Sequence, residues 1–220
     1  MASNLNRIYD YRLRRSVRYS NNCINVLRIY KIYSQEAWAD HHYDDVKIEI
    51  KRAYYFPQNR RCAYCRKKLN ADAYYNHIDH VLPKSIYYRW MFKPKNLVIA
   101  CELCNFLKND EDTLLLTHSE CKFPKCRNGF TIFNPHLDRW SDFFEIEDGI
   151  FIRGKHAKAN ETIRICKLSQ YHFSVQFAEE ARVTPKSAIK RATTKQRLYA
   201  ITSTEYQSCQ KVIEYYTNLI

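Results

Sequence analysis

The stretch His77-Ile78-Asp79-His80-Val81-Leu82-Pro83-Lys84-Ser85 decides how this chain is read, together with the cysteine pairs that bracket it. The first pair is Cys62-Ala63-Tyr64-Cys65; the second is Cys101-Glu102-Leu103-Cys104, followed directly by Asn105. A hydrolytic metal site needs a carboxylate or amide oxygen for a hard cation and an imidazole able to take a proton near neutral pH. Asp79 and His80 set both side by side. Two C-x-x-C pairs offer the four thiolates of a closed tetrahedral zinc site. The 35 residues between Cys65 and Cys101 exceed a simple finger loop, so a structured segment must lie between the pairs.

Working outward, residues 74–82 read as a strand ended by Pro83, and residues 96–100 (Asn-Leu-Val-Ile-Ala) as a second short apolar strand. A helix is expected from Cys104, with Asn105 and Lys108 on one face at i,i+3. Two strands and a helix with a zinc knuckle at each end make a compact ββα unit. Strict strand alternation puts His77 and Asp79 on one face, Ile78 and His80 on the other. His77 is therefore a rival to His80 as base or ligand.

The order and spacing of Asp79-His80-x-x-Pro83-x-Ser85, Asn96-Leu97 and Cys101-x-x-Cys104-Asn105-x-x-Lys108 resemble the zinc-stapled HNH (ββα-metal) endonucleases. The resemblance implies structural Zn2+ on Cys62, Cys65, Cys101 and Cys104, and one catalytic Mg2+ or Mn2+. His80 matches the general base that activates water, and Asp79 the metal-binding carboxylate. Asn96 matches the middle Asn, which braces the loop and backbone around the base. Asn105 falls where the family has its last His or Asn, a second metal ligand. The segment Asn134-Pro-His-x-Asp138-x-Trp140, the hairpin after it and Glu161-Thr-Ile-x-Ile165 further resemble the PtuB-type nucleases of Septu and retron anti-phage defence systems. Those are encoded beside an ATPase, so the resemblance implies an ATPase partner that restrains or directs the nuclease.

Composition fits a nucleic-acid enzyme. The 220 residues carry 36 Lys and Arg against 23 Asp and Glu, a net charge of +13. The excess is clustered: residues 1–34 hold seven cations against Asp10, and residues 181–200 hold six and no acid. Clusters of this kind face a polyanion, most often nucleic acid, or form a merely solvated face; the resemblance leaves DNA or an RNA such as tRNA as the substrate. Four of nine cysteines form the two pairs, which in a reducing compartment favours metal over disulfides. With no apolar run of membrane-spanning length and no signal-like segment, a cytoplasmic protein without a membrane partner is expected.

The remaining elements frame this core. Residues 1–34 interleave Arg12, Arg14, Arg15 and Arg18 with Tyr9, Tyr11, Tyr19, Tyr30 and Tyr33, as base-stacking rings among phosphate-binding cations or as packing. Alternation over residues 25–33 suits a strand, though helix stays open; residues 36–56 read as a helix stopped by Pro57. Asp148-Gly149 between alternating apolar residues predicts a type I′ hairpin. Residues 171–182 and 187–220 read as two helices. His118, Cys121, Cys126 and His136 raise a second metal site at loose spacing.

The expected class is α+β: a ββα-metal HNH core with a four-cysteine zinc knuckle, flanked by helices and a C-terminal β-hairpin plus helices. It divides into residues 1–57, 58–116 and 117–220 of one elaborated domain. The competing reading is a zinc module that binds nucleic acid or protein without cutting. Asp79-His80 with Asn105 separates the two, since a pure binder has no chemical use for that set.

Overall fold

The computed structural model describes residues 2–30, 32, 34–72, 75–115 and 122–220. The fold is α+β. Backbone contacts divide the chain into two compact units, residues 11–139 and residues 1–10 with 140–220; helix α1 (Ala2–Tyr9) belongs to the latter.

The 11–139 unit starts with an extended stretch in which Tyr11, Leu13 and Val17 turn inward while Arg12, Arg14, Arg15 and Arg18 stay exposed. The tyrosines here pack: the Tyr11 hydroxyl donates to Ala63 O at 2.8 Å, and the Tyr19 hydroxyl to Phe92 O at 2.9 Å. Helix α2 (Asn21–Ile29) replaces the strand expected over residues 25–33. The Ser20 hydroxyl accepts from Cys23 N, and such a cap satisfies an otherwise orphaned helix N–H. Tyr33 lies outside the described residues.

The helix expected over residues 36–56 is shorter. Two 3-10 turns, Gln35–Ala39 and His41–Tyr43, come first, and helix α3 (Asp44–Tyr55) follows. Asp40 makes the break: its backbone is extended and its carboxylate accepts from His42 N at 2.9 Å. Val46, Ile50 and Tyr54 give α3 its buried stripe.

The ββα unit forms as expected. Strands β1 (His77–His80) and β2 (Leu97–Ala100) pair antiparallel from His77↔Ala100 to His80↔Leu97, and helix α4 (Glu102–Lys108) follows. Strand β1 is shorter than the 74–82 stretch, and Tyr74 lies outside the described residues. Beyond β1, Tyr87, Trp90, Met91 and Phe92 bury into the core.

The other unit gathers α1 with helix α5 (Trp140–Phe143) and the hairpin of β3 (Phe144–Glu147) and β4 (Phe151–Gly154). Tyr9 stacks edge-on against Trp140 with ring centres 5.7 Å apart. Asp148 and Gly149 both take positive φ, 54° and 71°, and Ile150 N donates to Glu147 O at 3.0 Å, as the expected primed turn requires. Helices α6 (Ala157–Ile165), α7 (Tyr171–Glu180), α8 (Pro185–Gln196) and α9 (Thr204–Thr217) complete it.

The expectation of a single helix over residues 187–220 is corrected. Two helices form and pack on each other, α8 through Ala188 and Ala192 and α9 through Cys209, Val212 and Tyr216. The Ser203 hydroxyl accepts from Tyr206 N and starts α9. Pro185 sits in the first turn of α8 behind its Thr184 cap, where a missing N–H costs nothing. Among the described residues, no helix is long and apolar enough to cross a membrane.

Candidate active site and metal centre

The two cysteine pairs converge. The ligand atoms of Cys62, Cys65, Cys101 and Cys104 all lie within 4.8 Å of one another. Cys65 Sγ and Cys101 Sγ are 3.7 Å apart, against about 3.8 Å between ligands of a tetrahedral ion with 2.3 Å Zn–S bonds. The donor set therefore fits zinc. Burial, then the neighbouring sulfurs, raise the Cys65 thiol well above its ordinary value; a bound cation would reverse this.

The surroundings fix the knuckle. Gln58, fully buried, gives Nε2 to Ile99 O (2.7 Å) and Arg61 O (3.0 Å) and accepts from Ile99 N (2.8 Å), tying the first pair's turn to β2. Arg66, also fully buried, donates to Cys62 O (3.1 Å) and Gln58 O (3.0 Å) while its guanidinium lies 3.7 Å from the Tyr11 ring centre.

Asp79, His80, Asn105 and Lys108 line one cleft of about 800 Å³, with His77 and Lys84 also on its wall. Asp79 is buried. Its Oδ2 accepts from the Tyr64 hydroxyl at 2.5 Å, and its Oδ1 faces Lys108 Nζ at 3.3 Å. Burial raises the Asp79 carboxyl above its ordinary value, opposed first by the charge of Lys108 and then by the Tyr64 hydrogen bond. Carboxylate and amide oxygens on one cleft suit a hard divalent cation, so Asp79 and Asn105 fit the implied ion.

His80 ends β1. Its Nε2 lies 3.0 Å from Met91 O; a carbonyl only accepts, so Nε2 carries the proton and Nδ1 keeps the lone pair. The Trp38 ring packs edge-on against it, centres 4.6 Å apart. Burial lowers His80 to about 3, helped by the charges of Lys84 and Lys108. His77, by contrast, is exposed.

Asn96 is fully buried and clamps the turn after β1. Its Oδ1 accepts from Leu82 N at 2.7 Å, and its Nδ2 donates to Leu82 O (3.0 Å) and Trp90 O (3.2 Å).

Of the residues considered for a second metal site, His118 and Cys121 lie outside the described residues. Cys126 is exposed, and His136 is buried with Nε2 2.9 Å from Leu97 O and the Tyr54 ring against it. Among the described residues the only other close group of metal-ligand types is Asp40, His41 and His42, half-buried to exposed.

Sequence reading missed Tyr64, Trp38 and the buried state of Lys108. Tyr64 had a signal: it sits inside the first C-x-x-C, so the turn that aims the thiolates also aims its hydroxyl at Asp79. For Trp38 the sequence carries no such signal.

Residues 62–111 match the HNH endonuclease family, a segment that holds all four cysteines, Asp79, His80, Asn96 and Asn105. The Septu protein PtuB of Bacillus thuringiensis is 29% identical over 124 residues, 56% of this chain and 42% of that protein. The chain thus aligns with less than half the length of that relative. No solved structure matches the chain. Residues 62–111 are thus similar to the HNH endonucleases, and the chain resembles a Septu PtuB protein.

Proposed function

We propose that this chain is a metal-dependent HNH endonuclease that hydrolyses phosphodiester bonds in nucleic acid, as the effector of a bacterial anti-phage complex with an ATPase partner. The observation that carries the reading is the placement of Asp79 and His80, both buried yet both on the wall of the cleft that Asn105 also lines. Asp79 and Asn105 would hold Mg2+ or Mn2+, which when bound supplies positive charge against the developing negative charge of the reacting phosphate.

The residues do the rest. His80, fixed by Met91 O and Trp38, is neutral at physiological pH and offers Nδ1 to take a proton from water. Part of its lowered basicity comes from Lys84 and Lys108. A phosphodiester bound beside Lys84 offsets that cationic field, so His80 becomes a stronger base as substrate arrives. Asn96 holds the turn from which Lys84 projects. Four lysines (Lys47, Lys51, Lys84, Lys108) face three aspartates (Asp44, Asp79, Asp110) around the cleft, a balance that attracts a polyanion and keeps carboxylates for a cation. The ATPase partner, in a Septu-like or retron complex, rests on the resemblance to PtuB.

The test is cleavage of plasmid DNA and of total RNA by the purified zinc-loaded protein, with Mg2+ or Mn2+ and with EDTA. Metal-dependent cleavage of either polymer, abolished by EDTA, is expected. Binding without cleavage under all conditions would leave the zinc-containing binding module as the better reading. Co-purification of an ATPase with the tagged chain tests the partner.

A further inference from the structure

We infer that Lys108 is a built-in competitor of the catalytic metal: its ammonium holds the metal's place on Asp79 and must leave that carboxylate when a divalent ion binds. The inference rests on the reading of Asp79 as a metal ligand and concerns what sets that ligand's affinity.

Lys108 is 1% exposed, the only buried lysine among the described residues. Buried lysines occur almost only when paired, and this one is paired at the centre of the cleft. Its Nζ lies 3.3 Å from Asp79 Oδ1 and 2.7 Å from His80 O, while Tyr64 occupies Asp79 Oδ2. Both carboxylate oxygens are thus already engaged by donors. Among the influences on the Asp79 carboxyl, the charge of Lys108 is the largest that keeps it ionised. A divalent ion on Asp79 Oδ1 would have to share a buried space with an ammonium that now contacts the same oxygen. Two cations at that range in a low-dielectric site repel strongly, so the ammonium must withdraw as the ion enters.

The placement comes from the fold. Lys108 is the last residue of α4, whose first turn carries Cys104, and Asn105 stands one helical turn before it. The zinc corner that positions α4 therefore positions both the second metal ligand and the competitor. The exchange has a physical logic: a buried carboxylate with no partner is costly, and Lys108 lets this site fold without its metal.

The experiment measures metal affinity, not turnover. Zinc-loaded wild type, Lys108→Met and Asp79→Asn are titrated with Mn2+, with free ion followed by electron paramagnetic resonance, and melted with and without Mn2+. Lys108→Met is expected to bind Mn2+ at least about tenfold tighter than wild type, to melt lower without Mn2+, and to gain more from adding it. A merely structural lysine would lower the melting temperature without tightening Mn2+. Unchanged or weaker affinity in folded Lys108→Met overturns the inference.

Asp79→Asn separates the two layers. If it binds Mn2+ as wild type does, the assignment of Asp79 fails; if it loses Mn2+ while Lys108→Met is unchanged, only the competitor role fails. Where Lys108→Met does not fold, wild type decides: the slowly exchanging ammonium signal of the buried lysine should vanish or shift in step with Mg2+ saturation. A signal that persists unchanged at saturating Mg2+ overturns the proposal.

Discussion

The four-cysteine corner and the cleft lie in the same compact unit and handle charge in opposite ways. The corner gathers four like groups whose ionised forms repel, and burial pushes Cys65 and Cys104 away from ionisation. On the zinc reading, a cation completes it. The cleft is already balanced: Asp79 has Lys108 on one oxygen and Tyr64 on the other, and His80 is neutral. On the proposed reading, one region needs its metal to fold, while the other folds first and takes a metal to act.

The largest effect that could break this contrast is Cys62→Ser. Structural zinc contributes on the order of 10 kcal/mol of folding free energy, comparable to the whole net stability of a typical domain, about 5–15 kcal/mol. The variant is expected to lose zinc and the fold of residues 11–139 together, read by elemental analysis and circular dichroism. A stable zinc-free variant would show that the corner does not depend on metal.

Next comes Asn96→Ala. It strands Leu82 N and the Leu82 carbonyl and removes one of the two donors to Trp90 O, which keeps Lys93 N, at a cost of about 2–4 kcal/mol. Zinc content should be unchanged, because the amide serves the cleft's turn, while cleavage falls more than about tenfold. Loss of zinc with Asn96 would erase the separation between the two regions.

Acid sharpens the comparison further. Burial depresses His136 to about 4, below its unfolded value near 6.5. Between those pH values the unfolded chain binds a proton that the folded one refuses, so stability falls as pH drops from about 6.5 towards 4. The loss from this one group is on the order of 3 kcal/mol. His136→Gln keeps an N–H donor for Leu97 O but cannot titrate; its stability should depend less on pH across that window in denaturant melts monitored at fixed zinc. An identical pH slope would remove His136 from the account.

The smallest effect is expected at the surface. Arg14 and Arg15 are exposed, so replacing both with Ser should leave stability within about 0.5 kcal/mol. It should weaken nucleic-acid binding and flatten its salt dependence. Unchanged affinity and salt slope would take this stretch out of the polyanion surface.

The two regions also differ in how far the sequence foretold them. The corner was legible because two C-x-x-C pairs state both ligand type and geometry. The ββα order was legible from short apolar runs ending at Pro83 and at the second pair, and Asn96 from its place in the motif. Strand alternation could not place Asp79 and His80 on one cleft; β1 ends at His80, and the turn after it is held by Asn96. Lys108 was visible only as a helix-face residue, because burial and pairing depend on what α4 packs against. The extra 3-10 turns at Gln35–Ala39 and His41–Tyr43 and the break between α8 and α9 were missed for a common reason: side-chain caps at Asp40 and Ser203 override continuous helical periodicity.

The central claim is that the cleft cuts nucleic acid with His80 as its base. Its most direct test compares wild type and His80→Ala, matched for zinc content and circular dichroism, in Mg2+-dependent cleavage of plasmid DNA and total RNA. His80→Ala is predicted to stay folded and zinc-loaded and to lose about 100- to 10,000-fold in rate; full residual cleavage by the variant would contradict the claim.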